Sequence, residues 1–296
     1  MTAPDTFAGG DAQIIDRGYR KYDGERSGVT GAVKAVITHS IQRALGMRRT
    51  IWAKVLPIAT IAFAYVPAIV FVGIIALFPK SQTTSIILPT YGDYYGFVIS
   101  AIMVFVALVA PEVLCTDRRT GMLGVYLASP LDRNTYLLAK AVSIAAVLSL
   151  VCLGPPLLML LANVLQSTGP TGWSDIATTT WHVLLTGVVL TLLFTGVTMG
   201  ITSLTDRKFI AMASIILLFF VTIGITGTIE GVGGPRGAAA FAPTLLALEM
   251  AQRIHGEYSP IMRGVPDVTV WISWMAWTFG GFAVAWLRLK KLAVTR

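Results

Sequence analysis

Six runs of about twenty apolar residues, at 55–78, 94–115, 136–162, 181–204, 209–229 and 268–287, leave this chain few folds to choose from. A helix rising about 1.5 Å per residue needs about 20 such residues to cross the hydrocarbon layer of a bilayer. The expected fold class is therefore an all-α integral membrane protein with six transmembrane helices. Composition closes the alternatives, since 55% of the 296 residues are hydrophobic and 13% are charged, against about a quarter charged in a soluble domain. A soluble enzyme, a disordered chain and a coiled coil are excluded. Pro57, Pro67, Pro111, Pro155 and Pro156 fall inside the runs. In a membrane helix such prolines are expected to kink the span without splitting it, because neighbours satisfy the freed carbonyls.

Lysine and arginine placement sets the expected orientation, because cells retain these residues on the cytoplasmic side. With the N-terminus inside, 19 of the 23 basic residues fall on inner segments and the inner side carries a net +10 against −2 outside. Both termini are thus expected in the cytoplasm of a multi-pass protein of the cell membrane, a bacterial plasma membrane being the natural setting. The overall charge of +8 reports this topology, and no nucleic-acid partner is needed to explain it. Cys115 and Cys152 fall at different depths, which argues against their pairing. Neither has metal-ligand spacing with another cysteine or with His39, His182 or His255.

Residues 1–28 are rich in Gly, Asp and Arg and read as a mobile tail. Across 29–50, Val29, Val33, Val36, Ile37, Ile41, Ala44 and Leu45 recur at helical steps, with Arg43, Arg48 and Arg49 placed for phosphate headgroups. An interfacial amphipathic helix is expected there, the alternative being a solvated lead-in to the first span. The remaining 51–296 form the six-helix transmembrane domain. Two connections within it stand out, an inner loop at 112–140 and a long outer segment at 230–267.

The inner loop is amphipathic. Met122, Leu123, Tyr126 and Leu127 form a helical apolar patch; Thr120-Gly121 opens the helix, and Ser129-Pro130 disfavours its continuation. A short helix with apolar knobs beside Arg118 and Arg119 suits docking into a groove on a soluble partner. An ordinary positively charged inner loop fits these residues equally well.

Glu112, Asp117-Arg118-Arg119, Gly121, Leu123, the run from Tyr126 to Arg133 through Ser129-Pro130, and Lys140 together resemble the permeases of type-2 ABC (ATP-binding cassette) transporters. Ala139-Lys140 stands where that family usually has Gly-Lys, and a Tyr takes one Leu position. The layout matches as well: an amphipathic helix before the first span, a tight inner turn at Asp206-Arg207-Lys208, and a long outer segment before the sixth span. The resemblance implies an ATP-driven exporter whose permease works as a pair, with a second identical or related subunit, and recruits cytoplasmic ATP-binding cassette subunits. It makes 117–131 a coupling helix, with Arg118 and Arg119 for charged contacts, Met122, Leu123 and Tyr126 for an apolar plug, Gly121 for close approach, and Glu112 linking the loop to the second span. It also implies that 230–267 caps the outer mouth of the pathway. There Pro243 to Gly256 reads as a short helix, Glu249 and Arg253 stand four apart, and Glu230 lies at the segment's start; a solvated loop helix remains the alternative.

No phosphate-binding loop occurs, and Gly233-Gly234-Pro235-Arg236-Gly237 lacks the lysine one would need. No catalytic residues and no cofactor site are expected on this chain, with ATP and magnesium on the partner. Asp93, Glu112, Glu230 and His182 fall at span ends, whereas a proton-coupled carrier would place an ionisable group near the midplane. The rival readings are an ATP-independent carrier or channel and a noncatalytic membrane scaffold for a cytoplasmic partner. The spacings Gly196-x-x-x-Gly200 and Gly227-x-x-x-Gly231 are expected to pack helices within one subunit.

Overall fold

A computed structural model of the chain describes residues 28–47, 51–77 and 89–291, and among them are ten α-helices, the longer of which follow the six apolar runs. The expected mobile tail, except for Gly28, lies outside these residues. Among the described residues there is no strand, and six helical segments are long and apolar enough to span a bilayer. In order they are α1 (Gly28–Ala44), α2 (Ile51–Leu77), α3 (Tyr91–Arg119), α4 (Met122–Ala128) and α5 (Arg133–Cys152). There follow α6 (Gly154–Leu165), α7 (Trp173–Leu204), α8 (Lys208–Gly231), α9 (Pro243–Ile254) and α10 (Asp267–Lys291).

Span ends carry the signals that charge and capping require. Thr90 caps α3 by accepting the Asp93 N–H at 3.1 Å, and Asp93 sits in the first turn where the helix dipole favours an acid. Arg118 and Arg119 close the same helix, and Arg288, Lys290 and Lys291 close α10. All of these cations lie at one end of the bundle, the basic end.

Burial divides the spans into two classes. About two thirds of the apolar window of α3 and 72% of that of α7 are enclosed by protein, against 22% for both α2 and α10. The first pair is the centre of the bundle, and the second lies at its periphery. The tight seam between α7 and α10 shows how a bundle without hydrophobic driving force holds together. A Cβ on Gly281 would lie 2.0 Å from the Gly196 carbonyl oxygen, and one on Gly196 would lie 2.3 Å from that of Thr278. The Gly196/Gly200 face thus packs inside this subunit, as its spacing foretold; Gly227 and Gly231 approach nothing comparable.

The third apolar run remains one span, Arg133–Leu165, as expected, and its hydrogen-bonded helix is interrupted at Leu153, between α5 and α6, ahead of Gly154-Pro155-Pro156. Pro156 lacks the N–H that would have bonded the Cys152 carbonyl, and the buried Tyr95 hydroxyl donates to that oxygen instead at 2.9 Å. Tyr65 reaches the Leu150 carbonyl at 3.1 Å, beside a glycine whose Cβ would collide with its hydroxyl. Pro57, Pro67 and Pro111 stay inside intact helices.

Candidate functional site

At the basic end, α3 stops after Arg119. Thr120 closes it with N–H and hydroxyl bonds to the Thr116 carbonyl, at 3.0 and 2.8 Å. Gly121 then adopts φ +69°, a left-handed conformation that a side chain disfavours, and turns the chain into α4. Ser129 terminates α4 by bonding back to the Tyr126 carbonyl, so the short helix ends ahead of exposed Pro130, as the Ser-Pro step requires.

What holds this junction is a buried charge cluster around Asp117, which is fully enclosed. Its carboxylate pairs with Arg43 of α1 and, at 2.6 Å, with Lys140 of α5, and accepts the Tyr136 hydroxyl at 3.1 Å. The Lys140 ammonium, also fully enclosed, donates to Ser40 of α1 at 2.7 Å and lies 5.5 Å from the centre of the Tyr126 ring. One carboxylate therefore ties three helices to the root of α4. Opposite charges and hydrogen bonds offset the cost of removing these groups from water.

The cluster redefines two expectations. Arg43, read as a headgroup contact, is an ion-pair partner of Asp117, and α1 packs on α3 and α5. Tyr126, read as part of an outward plug, turns inward. Its ring sits 5.6 Å from that of Tyr136 and packs on the small core of Val36, Leu131 and Ala139. Burial, followed by the nearby Asp117 carboxylate, raises the Tyr126 phenol above its ordinary value, so it remains neutral. Val125 of α4 is directed outward, 63% exposed, and the apolar pattern did not single it out. Met122 and Leu127 are half-buried. Leu123 lies in α4, and its side chain is outside the described residues.

Arg118 is not a free surface charge. It pairs with Asp206 at 2.8 Å and donates to the last carbonyls of α7, including those of Thr202 and Ser203. A cation bonding helix C-terminal carbonyls is favoured by the dipole. Glu112 is buried and pairs with Lys208, joining α3 to α8. Arg119 and Arg207 are the exposed cations here, beside Phe209 on a cavity of about 660 Å³. Arg133 donates to the Lys290 carbonyl at 2.8 Å, tying the start of α5 to the end of α10.

At the opposite end lies the 230–267 segment. A 3₁₀ turn (Arg236–Phe241) leads into α9, which packs against α3, α7 and α10 and is followed by Gly256 at φ +82°. Glu249 is fully buried and pairs with Arg253, whose guanidinium also reaches Asp267 and, at 2.8 Å, the Val265 carbonyl. Glu230, at the end of α8, makes no ion pair among the described residues. His255, just beyond α9, bonds the Ala251 carbonyl through Nδ1 at 2.9 Å and sits between the rings of Tyr91 and His182. Burial lowers its pKa and holds it neutral.

Residues 72–289 match the family described as ABC-2 family transporter protein. No match is found among curated proteins. With most of its length inside that match, the chain belongs to this family and is a multi-pass membrane protein, a membrane component of the permease type.

Proposed function

We propose that this chain is the transmembrane permease subunit of an ATP-driven ABC exporter. Two such subunits, identical or related, build the substrate pathway, and cytoplasmic ATP-binding cassette subunits dock on α4. The basic end then faces the cytoplasm of a bacterial plasma membrane, as the excess of Lys and Arg at that end favours, and the outer segment with Glu249 and Arg253 caps the opposite mouth. ATP and magnesium belong to the partner, and the chain contributes no catalytic group.

The observation that carries this reading is the rigid mounting of α4. A seven-residue helix cannot hold itself in place, since isolated short helices are unstable in water. Here the Tyr126 ring and the Asp117 cluster bind its root to α1, α3 and α5. Force applied to α4 is then transmitted to α3, the enclosed central span, and through Glu112 and Lys208 to α8. Movement between two states requires differing contacts in each, and the ATP-bound and ATP-free partners supply that difference.

Docking is tested by affinity purification of the detergent-solubilised chain from its native membrane, with an ATPase assay of the eluate. The expected result is a stoichiometric ATP-binding cassette subunit with hydrolysis, lost when Val125→Asp and Arg119→Glu are combined, since a charge would be forced into an apolar contact and a basic contact reversed. Both residues are exposed, so the variant should insert and purify normally. A clean preparation that brings no ATPase would instead favour the carrier or scaffold readings, and substrate flux in vesicles would separate those two.

A further inference from the structure

Away from the α4 junction, an open groove of about 590 Å³ runs along the bundle between α5, α7 and α10, within the range of specific small-molecule sites. Its body is apolar. Ala141 and Ala145 of α5, one turn apart, contribute only methyl groups, while Leu138, Phe279 and Phe282 rise beside them. The one hydroxyl in the body, that of Thr195, is satisfied by the Thr191 carbonyl at 2.6 Å.

One end of the groove is polar. There the Trp286 indole donates to Asn134 at 3.0 Å, the Lys290 ammonium lies 3.5 Å from the centre of the Trp286 ring, and Arg133 borders the same lip. Asp132, at the N-cap of α5, is the neighbouring acid. From Asn134 to Ala145 the groove descends about 16 Å at helical rise, and half the hydrocarbon layer is about 15 Å. The apolar length thus equals one leaflet, and the cations stand at headgroup depth.

We propose that this groove retains an anionic phospholipid of the leaflet on the basic face. One acyl chain lies along Ala141 and Ala145, and the phosphate sits at Lys290 and Arg133. Charge complementarity selects the occupant: a neutral hydrophobic molecule would fill the body equally well but would leave the cationic lip without a partner. The site needs no ATPase and is independent of the export reading.

The test reconstitutes the full chain in vesicles holding equal amounts of phosphatidylglycerol and phosphatidylethanolamine, re-extracts it in mild detergent, and measures the lipids that remain by native mass spectrometry. Phosphatidylglycerol should be retained in excess, each cation contributing about fivefold. Lys290→Gln should reduce that preference about fivefold with total bound lipid unchanged, and Lys290→Arg should restore it. Ala145→Trp should remove the retained lipid of both classes while the protein elutes as before. Equal retention of the two lipids by the wild type would overturn the proposal. So would lipid retention unchanged by Ala145→Trp, a bound molecule that is not a phospholipid, or a second copy of the chain covering this face. Lys290→Gln is a surface change and keeps the proposal testable if Ala145→Trp fails to fold.

Discussion

The two ends of the bundle each bury a carboxylate against arginine, and they do so in different ways. At the basic end Asp117 gathers Arg43 and Lys140 from helices far apart in the chain, the first pair being 74 residues apart. At the opposite end Glu249 pairs with Arg253 one turn along the same helix, and Arg253 has a second acid in Asp267 and a backbone acceptor in Val265. The first cluster assembles three helices, whereas the second stiffens one and pins it to the start of the last span. The former fixes helices to one another across the bundle, and the latter fixes one helix to its neighbour.

Removing the central carboxylate gives the sharpest contrast. Asp117→Ala strands the buried Lys140 and the part-buried Arg43, so a loss of about 3–5 kcal/mol is expected, read as a large fall in thermal stability in detergent and loss of α1 protection in hydrogen exchange. Glu249→Gln leaves Arg253 with Asp267 and Val265, and its cost should be about 1–3 kcal/mol. Equal losses in the two variants would break the comparison and make the Glu249 pair as integral as the Asp117 cluster.

The smallest expected effect is pH-dependent and belongs to His255, at the end opposite the basic one. His255 has its pKa lowered by burial from 6.5, so the unfolded chain binds the proton more readily than the folded one. Its contribution to stability is complete above the unfolded value and is lost as pH falls through the lower folded value. Melting temperature should therefore drop on acidification below about pH 6.5. His255→Gln should flatten that slope, and an unchanged slope would assign the effect elsewhere.

Much of the layout was legible because it depends on local quantities. Apolar length gave six spans, Thr120-Gly121 and Ser129-Pro130 bounded α4, and the four-residue step between Glu249 and Arg253 foretold their pairing. The candidate site was less legible. Hydrophobic periodicity put Tyr126 on the outward face, yet the ring turns toward Tyr136, and Val125 faces out. The doublet Arg118-Arg119 looks uniform in sequence, but only Arg119 is exposed, because Arg118 meets the end of α7.

By itself the sequence determined six apolar helices of membrane-spanning length, the bounds of α4, and which end is basic, since hydrocarbon thickness, caps and charge act on neighbouring residues. Only the tertiary structure decided which charges are buried together, which tyrosine hydroxyl satisfies the carbonyl freed by Pro156, and where α7 and α10 touch glycine to glycine. The reason is physical. In a low-dielectric bundle an ionised or unpaired polar group must find a partner wherever packing supplies one, and that partner is chosen by helix adjacency, not by distance along the chain.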